Sequence, residues 1–173
     1  LSIAATATNW LHQARLTLSL YNIAMTNRAN GNIEGLSHIT FIVRDLHLAA
    51  RFFCEGLGAQ EVYDSAAKNF SFSREKFFVL GGIWIACMEG EPPGERTYRH
   101  TAFKVNDDDL PQFEARLQAI GVEIKPPCNR VEGEGQSLYF YDFDNHLFEL
   151  HTGTLEQRLS RYQSDSSFAT ASP

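Results

Sequence analysis

Along this chain the spacing of apolar positions switches from strand-like to helical and back, and the same switch then occurs a second time. From His38, "HITFIVRDLHLAARFFCEGLGAQEV" opens as a short apolar strand and passes Val43 and Asp45. It continues at helical spacing through Leu48, Phe52, Phe53 and Leu57 to Gly58. From His100, "HTAFKVNDDDLPQFEARLQAIGVEI" runs through the same events. Leu110, Phe113, Leu117 and Ile120 form the stripe, and Gly121 stands where a helix end favours a left-handed residue. Each helix leads into strand-like runs, "NFSFSREKFFVLGGIWIACMEG" in the first copy and "SLYFYDFDNHLFELHTG" in the second. The expected fold is α+β: two tandem βαβββ modules, about 33–92 and 96–161, within a domain of 33–161.

One strand carries an unexpected charge. In "NHLFELHTG" the alternation puts Leu147, Glu149 and His151 on one face and Phe148 and Leu150 on the other. Sliding "GGIWIACMEG" under "DNHLFELHTG" until Gly90 meets Gly153 sets Ala86 opposite Glu149, just as His38 already stands opposite His100. The repeat thus offers four equivalent positions, of which three carry potential metal ligands and one is blank. Two imidazoles and a carboxylate bind a divalent first-row metal and leave coordination positions open for a substrate; zinc, manganese, iron and nickel all suit such a set. Each residue alone has a plainer reading, since a strand-edge histidine is commonly structural and an inward glutamate can pair with an arginine. The repeat is what joins them. His151, on the face of Glu149, is the competing ligand, and His146 belongs to an Asp-Asn-His turn.

Composition narrows the partners. A chain of 173 residues with 13 Phe has ample material for one packed core. A net charge of −6 disfavours nucleic acid or an anionic membrane surface as a partner, so an anionic small substrate would need a local basic cluster or a metal. No apolar run reaches the ~18 residues of a membrane-spanning helix. Cys54, Cys87 and Cys128 form no CxxC pair and read as reduced thiols of a cytoplasmic protein. Residues 1–32 are Ala/Thr/Asn-rich and lack the basic start and cleavage region of a secretory signal. They include "NWLHQARLTLSLYNIA", a possible short amphipathic helix, and Met25, a plausible start; the segment is expected to be dispensable. Residues 162–173, ending in "SDSSFATASP", are expected to be a disordered tail.

Paired modules with His at the start of a first strand and Glu in a last strand resemble the vicinal oxygen chelate (glyoxalase/bleomycin-resistance/dioxygenase) superfamily. Within it, "GLSHITFIVRDL", "SREKFFVLGGIWIACM", "YRHTAFKV" and "RVEGEGQSLYFYDFDNHLFELHTGTLEQRL" are similar to the fosfomycin-resistance epoxide hydrolases of the FosX group, from about Ile33 to Arg161. That resemblance implies a Mn2+-dependent enzyme that adds water to the epoxide of fosfomycin, with His38, His100 and Glu149 as metal ligands. It implies Glu75 of "SREK" as general base, a residue otherwise read as part of an exposed charged turn. Thr40, Ser137, Tyr139 and Arg158 would line the phosphonate pocket, with Arg130 a weaker candidate. It further implies a homodimer in which two chains exchange modules, so that His38 of one meets His100 and Glu149 of the other. The chemistry suits these residue types: a cation can hold the oxirane and phosphonate oxygens, an ionised Glu can take a proton from water, and hydroxyls and Arg can bind the anion. Thiol transferases, which add glutathione, bacillithiol or cysteine, lack the glutamate base. Ring-cleaving dioxygenases use the same ligand types on longer chains, and non-enzymatic drug-binding proteins lack the triad.

Overall fold

The structure, a computed structural model, describes residues 33–66, 68, 71–126 and 133–169. The 1–32 extension, Cys128 and Arg130 lie outside the described residues. Two units are distinguished, 1–36 and 37–173. Of the first only 33–36 are described, without regular structure.

The second unit contains both expected modules. Strand β1 (His38–Val43) is followed by helix α1 (Leu46–Ala50), which widens into a π-helical segment over Arg51–Gly56. Strands β2 (Gln60–Asp64), β3 (Glu75–Leu80) and β4 (Ile83–Glu89) complete the first copy. The second runs β5 (His100–Lys104), a 3-10 turn at Asp107–Asp109, α2 (Leu110–Ala119), β6 (Glu123–Ile124), β7 (Ser137–Tyr141) and β8 (Leu147–His151). The sheets have the same topology, β1-β4-β3-β2 and β5-β8-β7-β6, each with its first strand parallel to its last.

Local signals account for most of these elements. Asp45 accepts hydrogen bonds from the amides of His47 and Leu48 and so caps α1. The π-helical segment buries both Phe52 and Phe53, which are each 1% exposed. Leu48, expected on the buried stripe, is exposed instead; Leu46, two residues earlier, and Ala49, the next residue, take the inward positions. Gly121 ends α2 at φ +79°, the left-handed conformation its position called for. At Gly56 an added Cβ would stand 3.0 Å from Leu117 and 3.1 Å from Ile120, so glycine lets the two helical segments, one from each module, approach closely.

The backs of both sheets and these helices share one core. Phe148 is its hub, with ring centroids 5.1 Å from Phe41, 4.9 Å from Phe52, 5.9 Å from Phe53, 6.4 Å from Phe103 and 6.0 Å from Phe140. Cys87 is fully buried in that core, and desolvation pushes its thiol far above the usual range, so it behaves as a small hydrophobe. Lys76, also buried, is neutralised by Glu61 at 2.8 Å and Asp64 at 2.6 Å.

After β8, helix α3 spans Leu155–Ala169. Its start is a capping box in which Thr154 and Gln157 bond each other's backbone amides. The stretch from 162 was expected to be disordered, yet it is helical as far as Ala169. Once a capped turn is formed, each further residue adds a hydrogen bond at small cost, even in a polar sequence. No helix among the described residues is long and apolar enough to cross a membrane.

Because Phe148 touches rings from both modules, Phe148→Ala should cost about 3–5 kcal/mol. Chemical denaturation should show this as a lowered midpoint, whereas a shift below ~1 kcal/mol would mean that the shared core is not what joins the modules.

Candidate metal centre

The ladder registers fix the equivalence of the two copies. Thr40 pairs with Ala86 in the first sheet and Ala102 with Glu149 in the second; His38 and His100 each stand two residues earlier on their strands. Ala86 is therefore the structural counterpart of Glu149. In both sheets these residues lie on the face turned away from the phenylalanine core. On the second sheet that face carries its own small cluster, Tyr139, Tyr141 and Leu147.

His100 and Glu149 meet there. Glu149 is 5% exposed, and its Oε2 lies 3.0 Å from His100 Nε2. The other imidazole nitrogen, Nδ1, is 2.9 Å from the carbonyl oxygen of Tyr98. A carbonyl can only accept, so Nδ1 carries a proton; in the neutral tautomer this selects, the Nε2 lone pair turns toward the carboxylate. Two acceptors at that distance repel unless a cation or proton lies between them. Since the Tyr98 carbonyl fixes the tautomer a metal ligand needs, these residues fit a divalent ion. Glu149 Oε1 accepts a 2.5 Å hydrogen bond from the Ser137 hydroxyl. His151 stands behind the serine, its Nδ1 2.8 Å from Ser137 Oγ and 3.0 Å from the Gln136 carbonyl. The aromatic rings of Tyr98 and Tyr139 flank His100 edge-on, with centroids at 5.2 and 5.5 Å.

The first sheet holds the remaining candidates. His38 begins β1 with its ring 4.5 Å from Trp84, and Thr40 follows on the same face. Glu75, expected in an exposed turn but for the resemblance, opens β3 and is 8% exposed. Its backbone exchanges hydrogen bonds with Ser65, whose hydroxyl accepts from the Glu75 amide at 2.9 Å. Glu75 pairs with Met88, on the same face as Ala86, Thr40 and His38. Among the described residues no three His, Cys, Asp or Glu side chains converge on a point that could hold a metal. One chain thus joins His100 to Glu149 and leaves His38 apart from them.

The outer candidates are less closely gathered. Tyr139 is 7% exposed, directly across from Glu149 in the β7–β8 ladder. Arg158 is half-buried in the first turns of α3, with its amide bonded to Thr154. His146 occupies the expected turn, its Nδ1 2.6 Å from Asp142, next to Asn145 at φ +67°. Two residues that hold the site together went unread in the sequence. Tyr98 acts through its carbonyl, which no side-chain pattern reveals. Arg161 is paired with Glu134 and ties α3 to the segment before β7, although its residue type marked it only as charged surface.

Residues 35–150 match the glyoxalase/bleomycin resistance protein/dioxygenase superfamily. The chain belongs to that superfamily. It is 55% identical over 130 residues to the fosfomycin resistance protein FosX of Listeria monocytogenes, a match covering 75% of this chain and 98% of the relative. A solved structure of a glutamate-to-glutamine variant of FosX from the same organism, in complex with Mn(II) and 1S,2S-dihydroxypropylphosphonic acid, aligns with TM-score 0.68 at 53% identity. That match covers 75% of this chain and 98% of the other. The metallothiol transferase FosB of Bacillus licheniformis is more distant, 35% identical over 140 residues, covering 79% of this chain and 86% of that protein.

Since Glu149 contributes one of the two facing acceptors, Glu149→Ala should abolish divalent-ion binding by isothermal titration calorimetry while leaving the circular dichroism spectrum unchanged. Retained stoichiometric binding would mean that the carboxylate is not a ligand.

Proposed function

We propose that this protein hydrates the epoxide of fosfomycin to a vicinal diol and so confers resistance to that drug, with Mn2+ as cofactor. One observation carries the reading. A relative 53% identical in sequence has been solved with Mn(II) and a dihydroxypropylphosphonate, and a dihydroxypropylphosphonate is what remains when water adds across an epoxypropylphosphonate. The facing lone pairs of His100 and Glu149 support a cation at the corresponding place in this chain.

The reading assembles the site from two chains, with His38 of the partner subunit completing the set begun by His100 and Glu149. Three features support a homodimer of that kind. His38 lies apart from the other two ligands, and its sheet face is blank at Ala86. That same face also leaves Val79 40% and Trp84 39% exposed, an apolar surface that a second copy would cover. A reducing cytoplasm suits the free Cys54 and Cys87.

When bound, the cation supplies Lewis-acid stabilisation of the oxirane oxygen as its C–O bond opens. Glu75 takes a proton from the attacking water as the new C–O bond forms, and the ring oxygen ends as a hydroxyl protonated from solvent. Thr40, Ser137, Tyr139 and Arg158 line the phosphonate site, with Arg130 a weaker candidate from the resemblance; an arginine contributes a charge-assisted bond. Glu75 is 8% exposed, across from Met88 in the β3–β4 ladder, so its carboxylate is shielded from bulk water. A thiol transferase is the second reading, favoured only by the more distant FosB similarity.

Three tests follow from these roles. Phosphorus NMR of fosfomycin with protein and Mn2+ should show the diol with or without added thiol, and ¹⁸O from labelled water should appear on carbon. A thiol adduct without label would make the protein a transferase. Glu75→Gln should slow hydration roughly 10²–10⁴-fold with Mn2+ affinity near wild type. Lastly, mixing inactive His38→Ala and Glu149→Ala chains under exchange should restore one intact site per mixed dimer. No recovery in proven heterodimers would place the whole site within one chain.

A further inference from the structure

The hydrogen bonds behind Glu149 have a direction. Because the Gln136 carbonyl can only accept, His151 Nδ1 is protonated, and the same N–H points at Ser137 Oγ. A carboxylate accepts, so the single proton of the serine hydroxyl lies in the 2.5 Å contact to Glu149 Oε1. Behind the imidazole, a Cβ on Gly153 would stand only 2.7 Å from His151 Nε2, so the chain wall keeps the ring in place.

The other module provides an internal control. His151 and Ser137 are cross-strand partners, and their counterparts in the first sheet are the partners Met88 and Glu75. Where Ala86 replaces the ligand, neither supporting residue is kept. The Ser–His pair occurs only in the sheet that has a carboxylate to orient.

We infer that His151 and Ser137 are positioning residues for the metal centre, aiming Glu149 so that Oε2 faces His100. This rests on the metal-dependent reading above. Carboxylate and histidine ligands lose about 10–100-fold in metal affinity when such outer partners are removed. Ser137→Ala and His151→Phe should therefore each weaken Mn2+ binding about 10-fold or more, measured by electron paramagnetic resonance of free Mn2+ without substrate. At saturating Mn2+ the KM of His151→Phe for fosfomycin should stay within about twofold of wild type. His151→Asn restores an N–H near the Nδ1 position and should recover most of the affinity, which a merely space-filling role would not allow. Unchanged Mn2+ affinity in both Ser137→Ala and His151→Phe overturns the inference. Wild type that binds Mn2+ without hydrating fosfomycin would defeat the functional reading while leaving this test intact. If His151→Phe fails to fold, the small change Ser137→Ala decides alone.

Discussion

Two acceptor atoms, His100 Nε2 and Glu149 Oε2, face each other at 3.0 Å, and much of the second module serves to keep them there. Left to itself the pair would swing apart or take up a proton. The Tyr98 carbonyl fixes one partner from behind and the Ser137 hydroxyl fixes the other. Parallel pairing of β5 with β8 sets their spacing along the sheet, because it places Glu149 beside Ala102 and His100 beside Leu147.

Strand β8 meets two demands on alternate residues. Phe148 and Leu150 turn into the common core, while Glu149 and His151 turn to the open face. A one-residue slip would put the carboxylate among phenylalanines and expose the hub of the core, so the aromatic packing fixes the ligand register as firmly as it fixes the fold. Stability and site geometry are here set by the same ladder.

These demands also explain what could be read from the amino-acid order. Period changes disclosed both modules, the two helical stripes and the Gly121 cap, since each depends on local spacing. Strict alternation located Glu149, and matching the ends of the copies located Ala86, because β4 and β8 reach Gly90 and Gly153 without an insertion. Glu75 and Ser137 are counterparts in the sheets, yet Glu75 lies 15 residues before Gly90 and Ser137 16 before Gly153. The turns between the last two strands differ in length, and an offset of one inverts the apparent face of every residue beyond it. Without the family resemblance Glu75 looked like exposed turn because Ser73, Arg74, Glu75 and Lys76 read together as a charged stretch. Leu48 misled for a different reason: apolar type placed it on the stripe, but the Asp45 cap set the helix phase one residue away. The role of Tyr98 rests on a backbone carbonyl, which carries no residue-type signal at all.

The unequal repeat gives the site its chemical polarity. If both sheets retained Glu, Ser and His at equivalent positions, pairing them would surround a cation with two carboxylates and two imidazoles, leaving fewer positions open for substrate. Ala86 vacates one position, and at the counterpart of Ser137 the first sheet carries Glu75 instead. The same ladder position therefore holds a hydroxyl that steadies a ligand in one sheet and a carboxylate with no ligand to steady in the other. A carboxylate freed in this way can accept a proton, which is the one function a hydroxyl bonded to Glu149 cannot perform. The two sheets share one frame, and the departures from symmetry at residues 75 and 86 are what set their open faces apart chemically.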